Sequence, residues 1–228
     1  MSQTVFVGLD LTSSDARPTA CVGLDERLDL AFAGFVSRDA DLLALVTAEG
    51  PRCTAIDAPL TLPRGLCCLE EGCNCCAGSG TGRECERELA RLGIPCYFTT
   101  KRSIIKGMVY RGVKMRAELE PRGCCVIEVY PYASKVCLWG RPIPPKSKPE
   151  GLAFLHDGLA RLMPGLRPYV SDFNHDLCDA AIAAYTAYLC HQGRTRRIGN
   201  AEEGTIEIPD RQMGGPEVAV ETGPGSPW

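Results

Sequence analysis

The sequence predicts an α/β protein: a mixed β-sheet flanked by helices and interrupted by a cysteine-rich insertion. Three observations predict it. Short β-branched, apolar runs come in the order strand, strand, strand, helix, strand, then helix, strand and helices. The first three runs are joined by short turn-rich links suited to antiparallel pairing, whereas the later ones are separated by helices, as parallel additions require. The stretch CCLEEGCNCC, Cys67 to Cys76, then breaks the pattern after the fourth strand.

The elements follow in order. TVFVGLDL (Thr4 to Leu11), TACVGL (Thr19 to Leu24) and Leu30 to Val36 read as strands, and DADLLALVTA (Asp39 to Ala48) spaces its leucines as an amphipathic helix. Cys53 to Ile56 is the fourth strand, running into Asp57-Ala58-Pro59. A helix over Arg83 to Leu92 ends at Gly93, whose freedom at positive φ suits a C-terminal cap. Ser103 to Leu119 is helical in pattern, basic, and expected to break around Gly107 and Gly112. CCVIEV (Cys124 to Val129) is apolar enough for a central buried strand except at Glu128. Arg141 to Pro149 is Pro- and Lys-rich loop, Glu150 to Leu162 a helix, and Asn174 to His191 the longest and most apolar helix.

With 228 residues and 45% hydrophobic composition the chain can bury a full core. The economical reading is one domain over residues 1–210, with the insertion at 66–96 inside it and a Gly/Pro-rich disordered tail at 211–228. A net charge of −3 argues against a uniformly basic nucleic-acid coat and leaves room for a local basic groove. No cationic leader with an apolar core opens the chain and no apolar run is long enough for a membrane span, so the expected location is the cytoplasm, with no membrane contact. There thiols stay reduced, and fourteen cysteines then read as metal ligands or buried thiols rather than a disulfide framework.

Acidic residues stand where a core is expected. Asp10 ends VFVGLD, Asp57 ends TAID, Glu128 sits inside VIEV, and Asp176 and Asp179 open the apolar helix. A carboxylate in such surroundings is costly unless paired, hydrogen-bonded or bound to a cation. Four have a plain explanation singly: a turn for Asp10, a cap before Pro59 for Asp57, the helix dipole for Asp176 or Asp179; Glu128 is harder to dismiss, because a buried central strand rarely carries an unpaired Glu. Together they suggest convergence, because Asp176 and Asp179 share a helical face that continues through Ala180, Ala183 and Ala187, small enough to press against a sheet. Hard oxygen donors at that density favour Mg²⁺ or Mn²⁺, one or two ions, which activate water for phosphodiester hydrolysis.

The sequence resembles the domain-of-unknown-function family 429, described as predicted nucleases with a ribonuclease H-like fold. The pieces that carry the resemblance are GLDLT (Gly8 to Thr12), IDAPLTLP (Ile56 to Pro63), GRECERELARLGIPC (Gly82 to Cys96), VIEVYP (Val126 to Pro131) and HDLCDA (His175 to Ala180), with GTIEIPD (Gly204 to Asp210) as a closing strand. The resemblance implies a ribonuclease H-like sheet in which Asp10 is the first-strand acid, Asp57 the fourth-strand acid and Asp176 or Asp179 the late-helix acid, with Glu128 on the strand that follows. Related sheets also carry sugar kinases and actin-like ATPases, but GLDLTSSD has one glycine and the chain has no GxxxxGK[ST] loop, which ranks phosphotransfer below nuclease chemistry.

Lys101, Arg102, Lys106, Arg111, Lys114 and Arg116, among Tyr97, Phe98 and Tyr110, form a candidate nucleic-acid surface, DNA or RNA, in which cations hold phosphates and rings stack on unpaired bases. Lys135, Arg141, Lys146, Lys148, Arg194, Arg196 and Arg197 could extend it. Four of Cys67, Cys68, Cys73, Cys75, Cys76, Cys85 and Cys96 could hold Zn²⁺ or an iron–sulfur cluster, with zinc preferred. Soft thiolates suit neither Mg²⁺ nor Mn²⁺, so the insertion reads as a stapled lid or protein-partner surface apart from the acids. The alternatives to a nuclease are a non-catalytic nucleic-acid or protein-binding module carrying that staple, and an iron–sulfur redox protein whose acids are structural.

Overall fold

The computed structural model describes residues 5–14, 16–78 and 80–210. The tail expected over residues 211–228 lies outside them. β1 (Phe6–Asp10), β2 (Thr19–Leu24) and β3 (Leu30–Val36) form an antiparallel meander, followed by α1 (Asp39–Glu49) and β4 (Cys53–Asp57). After the insertion come α2 (Glu84–Arg91), α3 (Lys106–Leu119), β5 (Val126–Val129), α4 (Pro131–Trp139), α5 (Pro149–Leu162), α6 (His175–His191), β6 (Thr195–Asn200) and β7 (Gly204–Pro209). The sheet runs β3-β2-β1-β4-β5-β7-β6, with β1, β4, β5 and β7 mutually parallel and the two margins antiparallel. This is the mixed, helix-flanked sheet expected, with the cysteine-rich segment between β4 and α2.

Strand alternation divides the core. Phe6, Ala55 and Val129 pack against α5 and α6 on one face, while Val7, Leu9 and Ile56 pack against α1 and α3 on the other. α6 lies on the β1–β4 pair at an unusually close distance: a Cβ at Gly8 would sit 2.0 Å from the Ala180 carbonyl oxygen and 2.3 Å from the Ala184 nitrogen. Glycine on the strand and alanine on the helix together permit that approach.

One expectation changes, and two further features are added to the outline. α3 is one continuous helix, because Gly107 and Gly112 are contact points rather than breaks: their missing Cβ atoms would lie 2.1 Å from the Ser13 carbonyl and 2.4 Å from the Pro59 carbonyl. Pro131 opens the helix α4, where a proline at the first turn sacrifices no hydrogen bond. Arg194, Arg196 and Arg197 lie at the sheet margin, where Thr195–Asn200 pairs with β7 and Arg197 bonds Glu207 at 2.7 Å.

Gly8→Ala should test the helix–sheet approach. The added methyl meets backbone that cannot swing aside, so a loss of about 3 kcal/mol is expected from the denaturant midpoint at unchanged slope.

Candidate active site

β1 and β4 are paired in parallel with Asp10 opposite Asp57. Asp10 shares the parity of Phe6 and Gly8, and Asp57 that of Cys53 and Ala55, so both carboxylates leave the sheet on the α6 face at the carboxyl ends of adjacent strands. Among the described residues no hydrogen bond or ion pair engages either carboxyl group. α6 supplies the third acid. The Asn174 side chain caps its start by accepting from the Leu177 amide at 2.9 Å. Asp176 in that first turn is exposed, whereas Asp179, one turn further in, is 2% exposed.

Asp179 is neutralised by two lysines. Lys135 of α4, itself 2% exposed, donates to Oδ1 at 2.7 Å, and Lys146, from the loop before α5, donates to Oδ2. A hydroxyl contact between Ser134 and Thr186 at 3.2 Å docks α4 on α6 and fixes where Lys135 arrives. The sequence had offered these lysines only as outlying parts of a phosphate-binding patch; the available signal was a lysine inside the otherwise apolar YASKVCLW.

The electrostatics follow from this arrangement. Burial pushes the Asp10 carboxyl up to about 7, with Asp179 and then Asp176 adding to the rise while Lys146 and Lys135 oppose it. Asp57 is raised well above the usual carboxylate range, by burial first and then by Asp10 and Asp179. The pair therefore lies side by side, oxygen-rich and without a bonded cation, which is a donor set suited to a hard divalent ion. Asp179 already has both oxygens engaged.

Glu128 stands elsewhere. It pairs in register with Ile56, on the α3 face of the sheet, opposite to the face that Asp10 and Asp57 use. Its oxygens receive the Arg83 fork at 2.6 and 2.7 Å, and Oε2 also accepts the Leu60 amide at 2.8 Å. Arg83, 1% exposed, bonds Glu86 as well at 2.8 Å, and Glu86 accepts from Thr99. Glu128 thus belongs to a buried charge network that borders the cleft, rather than to the aspartate group.

The carboxylates open into a cleft of about 280 Å³ walled by Tyr97, Ile105, Met108 and Lys146. Tyr97 is 65% exposed and Ile104, just outside, 79%. Of the basic residues expected here, Arg102 and Lys114 are exposed and Lys106 half-buried beside Ile105. Arg111 is different: buried, it bonds Asp39 at 2.6 Å and the Thr12 carbonyl at 2.6 Å, holding α3 to α1 and to the loop after Asp10. Lys101 donates to the Cys73 carbonyl, and Arg116 pairs with Glu120 at 2.7 Å.

The seven cysteines of the insertion region separate. Among the described residues, one group of three or more potential metal ligands has its donor atoms all within 4.8 Å of one another: Cys67, Cys68, Cys73 and Cys75. A four-cysteine cluster able to take a metal is therefore present. Cys76 points away with its thiol near the Asn74 carbonyl, Cys85 is buried among Leu89, Ile198 and Ile206, and Cys96 lines the cleft. Glu203 closes the insertion at both ends, accepting the Arg64 amide at 3.0 Å and the Glu84 amide at 2.7 Å.

No family model matches the chain, and no curated protein matches it. Among solved structures it is similar to Thermus thermophilus RuvC, at 15% identity over 82% of this chain and 95% of that one, with a TM-score of 0.44. It is similar also to T. thermophilus RuvC in complex with a Holliday junction substrate, at 13% identity over 87% and 97% of the two chains, with a TM-score of 0.41. No helix among the described residues is long and apolar enough to cross a membrane.

Two measurements follow. A carboxyl raised from 3.8 to about 7 stabilises the folded state most below its unfolded value and loses that contribution as pH rises through about 7. Asp10→Asn should therefore gain stability relative to wild type between pH 5 and pH 8 in chelator, by about 1–2 kcal/mol once partial solvent screening is allowed for, with midpoints compared across pH. Arg83→Ala leaves Glu128 and Glu86 buried without a cation and should cost about 3–5 kcal/mol by chemical denaturation.

Proposed function

We propose that the chain is a divalent-metal-dependent phosphodiesterase acting on nucleic acid, the activity expected for the family it resembles in sequence. The observation that supports this most strongly is the in-register pair Asp10 and Asp57, two carboxylates without a bonded cation at the carboxyl ends of parallel strands, facing an open cleft. Asp10 and Asp57 would hold Mg²⁺ or Mn²⁺. A divalent ion so held supplies Lewis-acid activation of water and neutralises phosphate charge.

The chain's own groups have distinct tasks. Lys135 is buried and holds Asp179 in a buried ion pair at 2.7 Å. Lys146, on a loop with its side chain 56% exposed, can leave Asp179 for a phosphate oxygen without stranding the acid, because Lys135 remains. Its departure would also free one Asp179 oxygen for a second ion. Asp176, exposed at the mouth, repels an approaching phosphate unless a cation is close, and so couples substrate entry to metal loading. Exposed Arg102 and Lys114 and half-buried Lys106, which follows Ile105 of the cleft wall, would offer contacts to a phosphate backbone, and Tyr97 offers a face on which an unstacked base can rest, which favours single-stranded or locally opened substrates.

Cleavage of single-stranded, duplex, hybrid and branched nucleic acids with Mg²⁺ or Mn²⁺ tests the reading. Asp10→Asn and Asp57→Asn should each lose roughly 10³-fold in rate, the equivalent of about 4 kcal/mol of charge stabilisation. Lys146→Gln should retain metal binding and lose activity by roughly 10-fold or more, the worth of one charge-assisted contact. Activity identical in wild type and Asp10→Asn, or absent from wild type on every substrate, overturns the proposal.

A further inference from the structure

We propose that Cys67, Cys68, Cys73 and Cys75 form a mononuclear zinc site that staples the insertion to the wall of the cleft. The four sulfurs lie within 4.8 Å of one another, and Cys67 and Cys73 are 3.6 Å apart, Sγ to Sγ. A tetrahedron with Zn–S bonds of about 2.3 Å has edges of about 3.8 Å, so the thiols stand near ligating separation. A single ion accounts for four sulfurs that are all mutual neighbours. A two-iron cluster divides its thiolates between separate metals and spreads them further apart. The site also opens to solvent, with Cys67 exposed and Cys68, Cys73 and Cys75 half-buried, where an ion without redox chemistry is the durable occupant.

The backbone around the thiols is already shaped for this. The loop is closed at its base by the Gly78 amide on the Arg64 carbonyl at 2.7 Å, beside Gly65, which has a positive φ of 86° and where a Cβ would sit 2.4 Å from the Cys76 carbonyl oxygen, leaving no room for a side chain. The Cys73 amide turns back onto the Glu70 carbonyl at 3.2 Å, which brings Cys73 and Cys75 over Cys67 and Cys68. Leu69, fully buried between the ligand pairs, anchors the knuckle to the body.

Three contacts join it to the cleft wall. The Leu69 amide donates to the Tyr110 hydroxyl at 2.7 Å, that hydroxyl donates to Glu70 at 2.8 Å, and the Lys101 ammonium donates to the Cys73 carbonyl. Tyr110 belongs to α3, whose first turn includes Met108 of the cleft wall, and Lys101 lies between Tyr97 and Ile105. Zinc would thereby hold the knuckle against the segment that borders the aspartates, without touching them.

Elemental analysis of the full chain purified under reducing conditions should find one zinc per chain. Cys67→Ser and Cys75→Ser should lose it, and Cys76→Ser and Cys96→Ser should keep it. Because a ligand variant could fail to fold, wild type stripped and refilled with Co²⁺ supplies a second readout, a spectrum of tetrahedral cobalt in four thiolates that saturates at one equivalent. Zinc removal should lower the thermal midpoint and expose residues 64–78 to protease, while Mg²⁺ or Mn²⁺ still binds at the aspartates, so the outcome is separate from that of the nuclease assays. Iron in place of zinc, two disulfides among these four cysteines, or zinc retained by both Cys67→Ser and Cys75→Ser overturns the proposal.

Discussion

The close seating of α6 on β1 is the constraint on which the rest depends. With glycine at position 8 and alanines at 180 and 184, helix backbone meets strand backbone with no side chain between them. That contact fixes the height of α6 above the sheet. Asp179 therefore arrives beside Asp10 and Asp57 while buried, and a buried carboxylate requires cations. α4 must dock where Lys135 can reach it, and the loop before α5 must bring Lys146. A larger gap would admit water and remove the need for either lysine.

The same sheet keeps two chemistries apart. Parity sends Asp10 and Asp57 to one face and Glu128 to the other, so the Arg83 network and the aspartates meet only at the rim of the cleft. Arg83 takes up the charge of Glu128 and Glu86 with a planar fork that a lysine could not reproduce. Hard oxygen donors and soft sulfur donors consequently sit in separate surroundings, and neither set offers ligands to the ion suited to the other.

Much of this could be read in the chain itself. The strand order, the small face of α6 and the cost of burying Asp10, Asp57 and Asp179 all leave local marks. Glu128 misled because VIEV is apolar on both sides: a strand buried on both faces carries no alternation from which to read direction, and its partner Arg83 lies 45 residues away. Arg111 misled for a similar reason, since its carboxylate partner Asp39 is 72 residues distant. Gly107 and Gly112 show the limit of propensity as a guide, because a helix interior tolerates glycine where another backbone must come close. Which four thiols gather was hidden in the turns at Gly65 and Cys73, where loop geometry rather than spacing decides.

Glu203 has a consequence for how such a chain can change. By accepting the amides of both Arg64 and Glu84 it holds the entry and exit of the cysteine segment at one point of the body. The chain between them leaves and returns through a fixed doorway, so its length contributes little to the entropy of closing the fold. The segment is in that sense a cassette: shorter, longer or metal-free versions could occupy the same frame, and accessory surfaces at the cleft could diversify while the sheet and its aspartates stay as they are.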